Sequence, residues 1–296
     1  MPGAAPHSDA AARLRGIGLF CLTMIVFATL DALAKYASHT VPVIEIVWVR
    51  FLGQTALLLI VLRPWRNFAA YRSRRPVAQL VRALVLLGST VFNFLALRRL
   101  QMDQTATISF ASAFVTAGLA GPLLGEWVGP RRWAAIVVGF VGVMIVISPS
   151  GHRLDPAILL SIAAMICYSL YNLMTRMLTS TESMTGLLLY SGLAPTILMT
   201  PFAVPGAIWP SSGWVTAAVL GTAVCGALGH WLLINAFRLA PASLLAPFGY
   251  TQIIWMPGLG YLFFGDLPGG NTLLGAAIII LSGLYILYRE RVHGDR

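Results

Sequence analysis

The chain has 296 residues, of which 58% are hydrophobic and only 10% charged; an ordinary soluble domain carries about 25% charge, so that class is excluded. A net charge of +10 does not mark a nucleic-acid surface, because the basic residues lie in short connectors between apolar runs, where they act as topology signals. Cys21, Cys167 and Cys225 each stand in an apolar run without paired spacing, which argues against a disulfide framework or a zinc site and reads as packing.

Taken in order, the chain reads as an all-α polytopic membrane protein of ten transmembrane helices. Residues 1–15 form a polar, Ala- and Pro-rich cytoplasmic tail, expected to be disordered. Helix 1 runs near Gly16 to Tyr36, about the ~20 residues that cross a bilayer, and no small-residue cleavage site follows a short apolar core, so it is not a signal peptide. Helix 2 lies near Ile44 to Leu62, helix 3 near Val77 to Leu97, helix 4 near Thr105 to Gly125 and helix 5 near Trp133 to Ser148. A connector over 149–155 with Pro149 and Gly151 separates this first unit (16–148) from a second (156–288), and a short cytoplasmic tail (289–296) closes the chain. The second unit holds helix 6 near Pro156 to Thr175, helix 7 near Thr185 to Val204, helix 8 near Trp214 to Phe237, helix 9 near Ala242 to Phe264 and helix 10 near Thr272 to Tyr288. Proline at 122, 195, 201, 247 and 257 predicts kinks in helices 4, 7 and 9.

Lys and Arg set the orientation. Arg63, Arg66, Arg72, Arg74 and Arg75 crowd the connector after helix 2, and further arginines fall on the same side, whereas the other side holds only Lys35, Arg98, Arg99 and Arg153. Both termini are therefore expected in the cytoplasm of a bacterium, with the chain in its inner membrane. Arg82, near the cytoplasmic end of helix 3, is expected to snorkel.

The two units echo each other at an offset of about 140 residues. Ala96-Leu97-Arg98 recurs as Ala236-Phe237-Arg238, Gly125-Glu126 as Gly265-Asp266, and Asp31 with Lys35 as Asn172 with Arg176. Five helices per unit is an odd number, so the second unit enters the membrane from the opposite side and the repeat is inverted. Inverted repeats build carriers whose central site faces the two sides in turn.

These features resemble the EamA family of the drug/metabolite transporter superfamily, whose members have ten helices in two five-helix repeats. Nearly the whole chain takes part. The carriers are the paired Gly125-Glu126 and Gly265-Asp266 ends, each followed by a final helix with glycines (Gly139 and Gly142, Gly275 and Gly283). Asp31-Ala32-Leu33-Ala34-Lys35 and Trp48-Val49-Arg50 look like one bacterial branch rather than the commoner Trp-Gly start. The resemblance implies movement of small organic solutes, amino acids and related metabolites among them.

Several polar groups stand inside apolar runs, where ionisable residues are costly and default to function. Asp31 and Lys35 share a helix face, and Arg50 lies at a similar depth on helix 2, so Asp31, Lys35, Glu45 and Arg50 are read as one coupling or gating network in the outer half; a structural salt bridge is the competing account. Asp31 is the candidate proton-coupling acid. Thr105, Ser109, Ser112 and Thr116 line one stripe of helix 4, with Phe110 and Phe114 beside it, and helix–helix packing competes with a cavity role. Phe248, Gln252 and Trp255 share a face of helix 9, and the offset equates Gln252 with Ser112. Tyr168, Tyr171 and Asn172 cluster on helix 6, Asn172 as a gating candidate; His230, the counterpart of Thr90, is either a buried hydrogen-bonded core residue or a substrate or proton group. The expected substrate site is thus Ser109, Ser112, Phe114, Tyr168, Tyr171, His230, Phe248, Gln252 and Trp255, suited to a zwitterion or aromatic solute. Glu126 and Asp266 end their helices where the macrodipole disfavours an anion; Arg131 and Arg132 are partners for Glu126 within reach in sequence, while Asp266 has none.

The leading reading is a secondary or facilitative carrier of small organic metabolites, by export or exchange; uptake of a nucleoside- or amino-acid-derived metabolite is the alternative. A nucleotide-driven pump lacks its GxxxxGK[ST] stretch. An intramembrane enzyme would need acidic pairs that the sequence does not gather, and a channel or a sensor is kept as a further class. The expected partners are a small-molecule substrate and the lipid bilayer, with a homodimer left open; no nucleic acid, no metal and no cofactor are expected.

Overall fold

The structure is a computed structural model that describes residues 6–63, 73–112, 114–116, 118–119, 130–147, 155–208, 210, 212–240 and 245–293. Among these residues the chain runs through α1 (Pro6–Ala37), α2 (Val43–Leu62), α3 (Pro76–Leu97), α4 (Met102–Phe110), α5 (Pro130–Ile147), α6 (Ala157–Leu178), α7 (Met184–Ala203), α8 (Gly213–Leu239), α9 (Gln252–Phe264) and α10 (Gly270–His293), with further helical residues at 112, 114–116 and 118–119. Six of them, α1, α2, α3, α6, α7 and α8, are long and apolar enough to cross a membrane. Large side chains such as Val61, Phe202, Trp214 and Leu262 face outward, as lipid-facing residues must. The chain is a multi-pass membrane protein. Glu126, the connector over 149–154, most of the arginine-rich run (64–72) and Pro122 lie outside the described residues.

Three sequence expectations are corrected here. Residues 6–15 are helical and continue into α1, because Ala10, Ala11 and Ala12 are strong helix formers. Helix 4 is interrupted: α4 ends at Phe110 and Ala111 forms a tight turn, Phe114 N–H donating to the Ala111 carbonyl at 3.0 Å. The Ser112 carbonyl is engaged by the Ser169 hydroxyl of α6 at 3.3 Å, and such intrusion into the helical ladder causes breaks. Residues 246–251 form a 3-10 turn ahead of α9, with Pro247 unable to supply the helical N–H. Pro195 and Pro201 lie inside α7 and Pro257 inside α9.

The packing order is simple. α1 lies along α8, α3 along α6, α5 along α10, and α2 against α7 and α8; α3 meets α7, and α9 meets α1 and α4. Each of these pairings joins an element of the first unit to one of the second. At one end of the bundle, Glu45 accepts the Ile208 N–H on both carboxylate oxygens (3.0 Å each). At the other end, Glu182 accepts the N–H groups of Arg74 and Arg75 at 3.0 Å each, just ahead of α3. A carboxylate at a helix start meets unsatisfied donors and the positive end of the dipole.

Arg82 does not snorkel. Its guanidinium is fully buried and donates to Gln79 Oε1 (3.0 Å), the Leu187 carbonyl of α7 and Thr175 Oγ1 of α6 (3.4 Å). Internal acceptors replace the interfacial water that snorkelling would seek.

Candidate functional site

Two adjoining cavities open between the units. The first, about 100 Å3, is lined by residues including Asp31 of α1, Arg50 of α2, Thr90 and Asn93 of α3, Ser109 of α4, Tyr168 of α6, His230 of α8 and Gln252 of α9. The second, about 80 Å3, is lined by Ser109, Ser112, Tyr168, Asn172, Tyr250 and Gln252 together with Phe20 and Phe237, which lie towards the Glu182 end. Ser109, Tyr168 and Gln252 border both, so the two lie side by side within the bundle.

Arg50 is the centre of the polar lining. Its Nη1 donates to Thr90 Oγ1 at 3.1 Å and its Nη2 lies 3.2 Å from His230 Nε2, so one guanidinium joins two residues that the repeat offset equates. A guanidinium can only donate. His230 Nε2 therefore accepts, which puts the ring proton on Nδ1, where Tyr171 Oη accepts it at 3.1 Å. In this geometry His230 positions Arg50. Gly226 of α8 gives the guanidinium room, since a Cβ there would stand 3.4 Å from Arg50 Nε and 3.0 Å from Gln54 Oε1.

Asp31 accepts from Asn93 Nδ2 at 2.9 Å. Its charge and that of Arg50 act on each other across the cavity they both line, without a direct ion pair. Lys35, expected beside Asp31, turns away instead. Its Nζ donates to Asp266 Oδ2 at 2.9 Å and to the Leu100 carbonyl at 3.1 Å, over the Phe264 ring. Gly265 makes this reachable: its φ of 71° ends α9 in a left-handed turn that few other residues adopt, which swings Asp266 back over the helix end. Glu45 is committed to the Ile208 backbone. The single network expected of Asp31, Lys35, Glu45 and Arg50 thus divides into three separate sites, because each of Lys35 and Glu45 finds a partner in the second unit.

The other expected residues distribute as follows. Ser109, Ser112, Tyr168, His230, Gln252 and Asn172 line the cavities. Thr105 is buried and bonds the Met102 carbonyl of its own helix at 3.0 Å. Tyr171 stands behind His230, fully buried; Phe114 fills the space beside Gly139 of α5; Phe248 packs on the apolar core; and Trp255 is 37% exposed on the outer surface. Tyr250 and Asp103 were not anticipated. Tyr250 Oη and Asn172 Oδ1 border the second cavity, both buried without a hydrogen-bond partner. Tyr250 falls in the 3-10 turn, where helical spacing gives no signal.

Gly229 of α8 offers a test of the cavity wall. A Cβ there would stand 2.3 Å from the Phe27 ring, which lines the first cavity and packs edge-on against His230 at 5.2 Å. Gly229→Ala is expected to displace that ring and cost about 1–3 kcal/mol. Thermal unfolding in detergent checks this, and an unchanged melting temperature would mean the ring yields freely.

The sequence profile described as the EamA-like transporter family matches twice, over residues 14–148 and 155–288. An S-adenosylmethionine uptake transporter of Rickettsia felis is 28% identical over 280 residues, 94% of each chain. A riboflavin transporter of Vibrio cholerae is 30% identical and covers 90% of each chain. A pseudopaline exporter of Pseudomonas aeruginosa is 24% identical, over 90% of this chain and 94% of that one. A solved crystal structure superposes with a TM-score of 0.69 at 18% identity, over 96% of this chain and 99% of that chain, a likeness of fold.

Proposed function

Because the chain belongs to the EamA-like transporter family, we propose that it is a secondary or facilitative carrier that moves a small charged organic metabolite across the bacterial inner membrane by alternating access. The observation that carries this reading is that an acid, Asp31, and a base, Arg50, line one cavity between the units without a direct ion pair. Such a pair suits a solute that brings both signs: a cationic group for Asp31, an anionic or polar group for Arg50, with Tyr168 and Gln252 against its body. S-adenosylmethionine and riboflavin each join a flat heteroaromatic system to polar groups, and the relatives named for them favour that class over simple amino acids.

Two inverted repeats of five helices each account for the packing. Exchanging α1 with α6, α2 with α7, α3 with α8, α4 with α9 and α5 with α10 turns the α1–α8 pairing into α6–α3, α2–α8 into α7–α3 and α1–α9 into α6–α4, all of which occur. Matched cations agree: Lys35 bonds the Leu100 carbonyl beyond α3, and Arg176 bonds the Phe237 carbonyl near the end of α8 at 3.2 Å. The double match of the family profile agrees as well. With both termini cytoplasmic, the Lys35–Asp266 end is the outer face, held shut, and the Glu182 end the inner. At about 100 and 80 Å3 the cavities are far below the ~300–1,000 Å3 of pockets for drug-sized ligands, so loading a solute requires one end to widen.

Proteoliposomes carrying the full chain test this with labelled S-adenosylmethionine, riboflavin and a set of amino acids. Saturable flux that accelerates when unlabelled solute is placed on the opposite side is the expected result for a solute that joins a flat heteroaromatic system to polar groups. Flux that never saturates would indicate a channel and sink the carrier reading.

A further inference from the structure

The second cavity is the part of the site that Asp31 and Arg50 leave unexplained. Among the described residues, no charged side chain lines it. Its walls are aromatic. Phe20 of α1 lies 6.1 Å from Phe237 of α8 between ring centres, and Phe110 of α4 meets Tyr250 edge-on at 5.5 Å. Gly249 adds no side chain to this wall, and a Cβ there would meet nothing nearer than the Phe20 ring at 3.9 Å. Rings set in this way offer faces and edges to another flat ring.

Two oxygens interrupt the apolar lining. Tyr250 is 7% exposed and its Oη has no hydrogen-bond partner; Asn172 Oδ1 of α6 is buried and likewise unpaired. Packing does not demand the hydroxyl, since Phe110, 140 positions earlier and in contact with Tyr250, fills the facing place without one. A buried polar atom without a partner is costly, whereas an apolar group of the same shape is nearly neutral. The Tyr250 hydroxyl therefore works against stability until something arrives to bond it. A hydroxyl donates and accepts, and an amide oxygen accepts. Together they match the edge of a heteroaromatic ring that carries a donor beside an acceptor, while an aliphatic group would leave both oxygens unpaired.

We infer that the second cavity binds the uncharged heteroaromatic ring of the solute: the ring lies among Phe20, Phe110 and Phe237, and Tyr250 and Asn172 hydrogen-bond its edge. The charged part of the solute then extends past Ser109, Tyr168 and Gln252, which border both cavities, to Asp31 and Arg50 in the first. Tyr250 and Asn172 are thus specificity residues, selecting the ring by its edge atoms. The inference rests on the reading of these cavities as the solute's site, and its test separates the two.

Adenosine and riboflavin carry such a ring without a charged group, and each is titrated calorimetrically into the purified full chain in detergent. At least one is expected to bind saturably, and Tyr250→Phe and Asn172→Leu should each weaken it about tenfold. Gly249→Leu, whose longer side chain fills the cavity, should abolish binding. Capping the ring edge, as in N6,N6-dimethyladenosine or 3-methylriboflavin, should weaken binding to the parent by a similar factor and make little further difference in Asn172→Leu. Without solute, Tyr250→Phe should melt no lower than the parent, which a structural hydroxyl would not allow. Binding of neither probe, binding unchanged in both Tyr250→Phe and Asn172→Leu, or a lower melting temperature in Tyr250→Phe would overturn the assignment. Saturable, trans-stimulated flux that both variants leave unaltered would remove the ring site and keep the carrier. Ring binding that needs Tyr250 and Asn172 in a chain that moves no solute would do the reverse.

Discussion

Arg50→Ala will lower solute exchange by about 100-fold or more, the largest functional effect expected of any single substitution. Truncation removes the counter-charge of Asp31 and leaves His230 Nε2 and Thr90 Oγ1 without their partner. A 100-fold loss is about 2.7 kcal/mol, inside the ~2–5 kcal/mol typical when one member of a desolvated charge pair is removed. Arg50→Lys keeps the charge, yet a compact ammonium cannot span Thr90 and His230 together as the planar fork does, so an intermediate loss is expected. Initial exchange rates in proteoliposomes, normalised to inserted protein, decide the point. Near-native rates in Arg50→Ala would remove Arg50 from the solute site.

Arg82→Ala is expected to have the largest effect on stability, about 3–5 kcal/mol, with a far smaller effect on solute selectivity. The side chain is fully buried and ties α3 to α6 and α7 through Thr175 and the Leu187 carbonyl, while Gln79 links it on towards Glu182 at 3.4 Å. Removing it leaves Gln79 Oε1 without its donor and takes one donor from the Leu187 carbonyl, which keeps its bond from the Ser191 hydroxyl, beside a void, and breaking such buried networks costs amounts of this order. At about 2 °C per kcal/mol for a chain of this size, the melting temperature in detergent should fall by roughly 6 °C or more. Arg82→Met, which keeps volume without donors, should fall between. A melting temperature within a degree of the parent would show that the network contributes nothing net.

How far the sequence revealed this molecule differs from feature to feature, and the reasons are physical. Spans, the repeat and the candidate acids are written in hydropathy and spacing, which act locally. Ser112 and Gln252, which the offset pairs, stand out in the sequence because a polar residue mid-span is costly, and both border the second cavity. Partners do not. Lys35 and Asp266 are 231 positions apart, and local spacing favoured Asp31. Arg82 was expected to reach water because acceptors on α6 and α7 are invisible from α3. The break after α4 falls where the Ser112 carbonyl meets the Ser169 hydroxyl of another helix, a contact that local spacing does not show. Asp103 was passed over because it precedes the apolar run, and only packing against α9 and α10 buries it.

The central claim is that one cavity is reached from the two sides in turn, and a crosslink tests it most directly. With Ser109→Cys reserved as an accessibility probe, Lys35 and Asp266 are replaced by cysteines joined by a short thiosulfonate crosslinker, the probe being exposed to maleimide after joining. Before crosslinking, labelling from outside and from inside should both proceed; after it, outside labelling should stop, inside labelling should continue, and trans-stimulated exchange should vanish until the crosslink is reduced. Outside labelling or exchange that persists with the crosslink intact would contradict alternating access through this cavity.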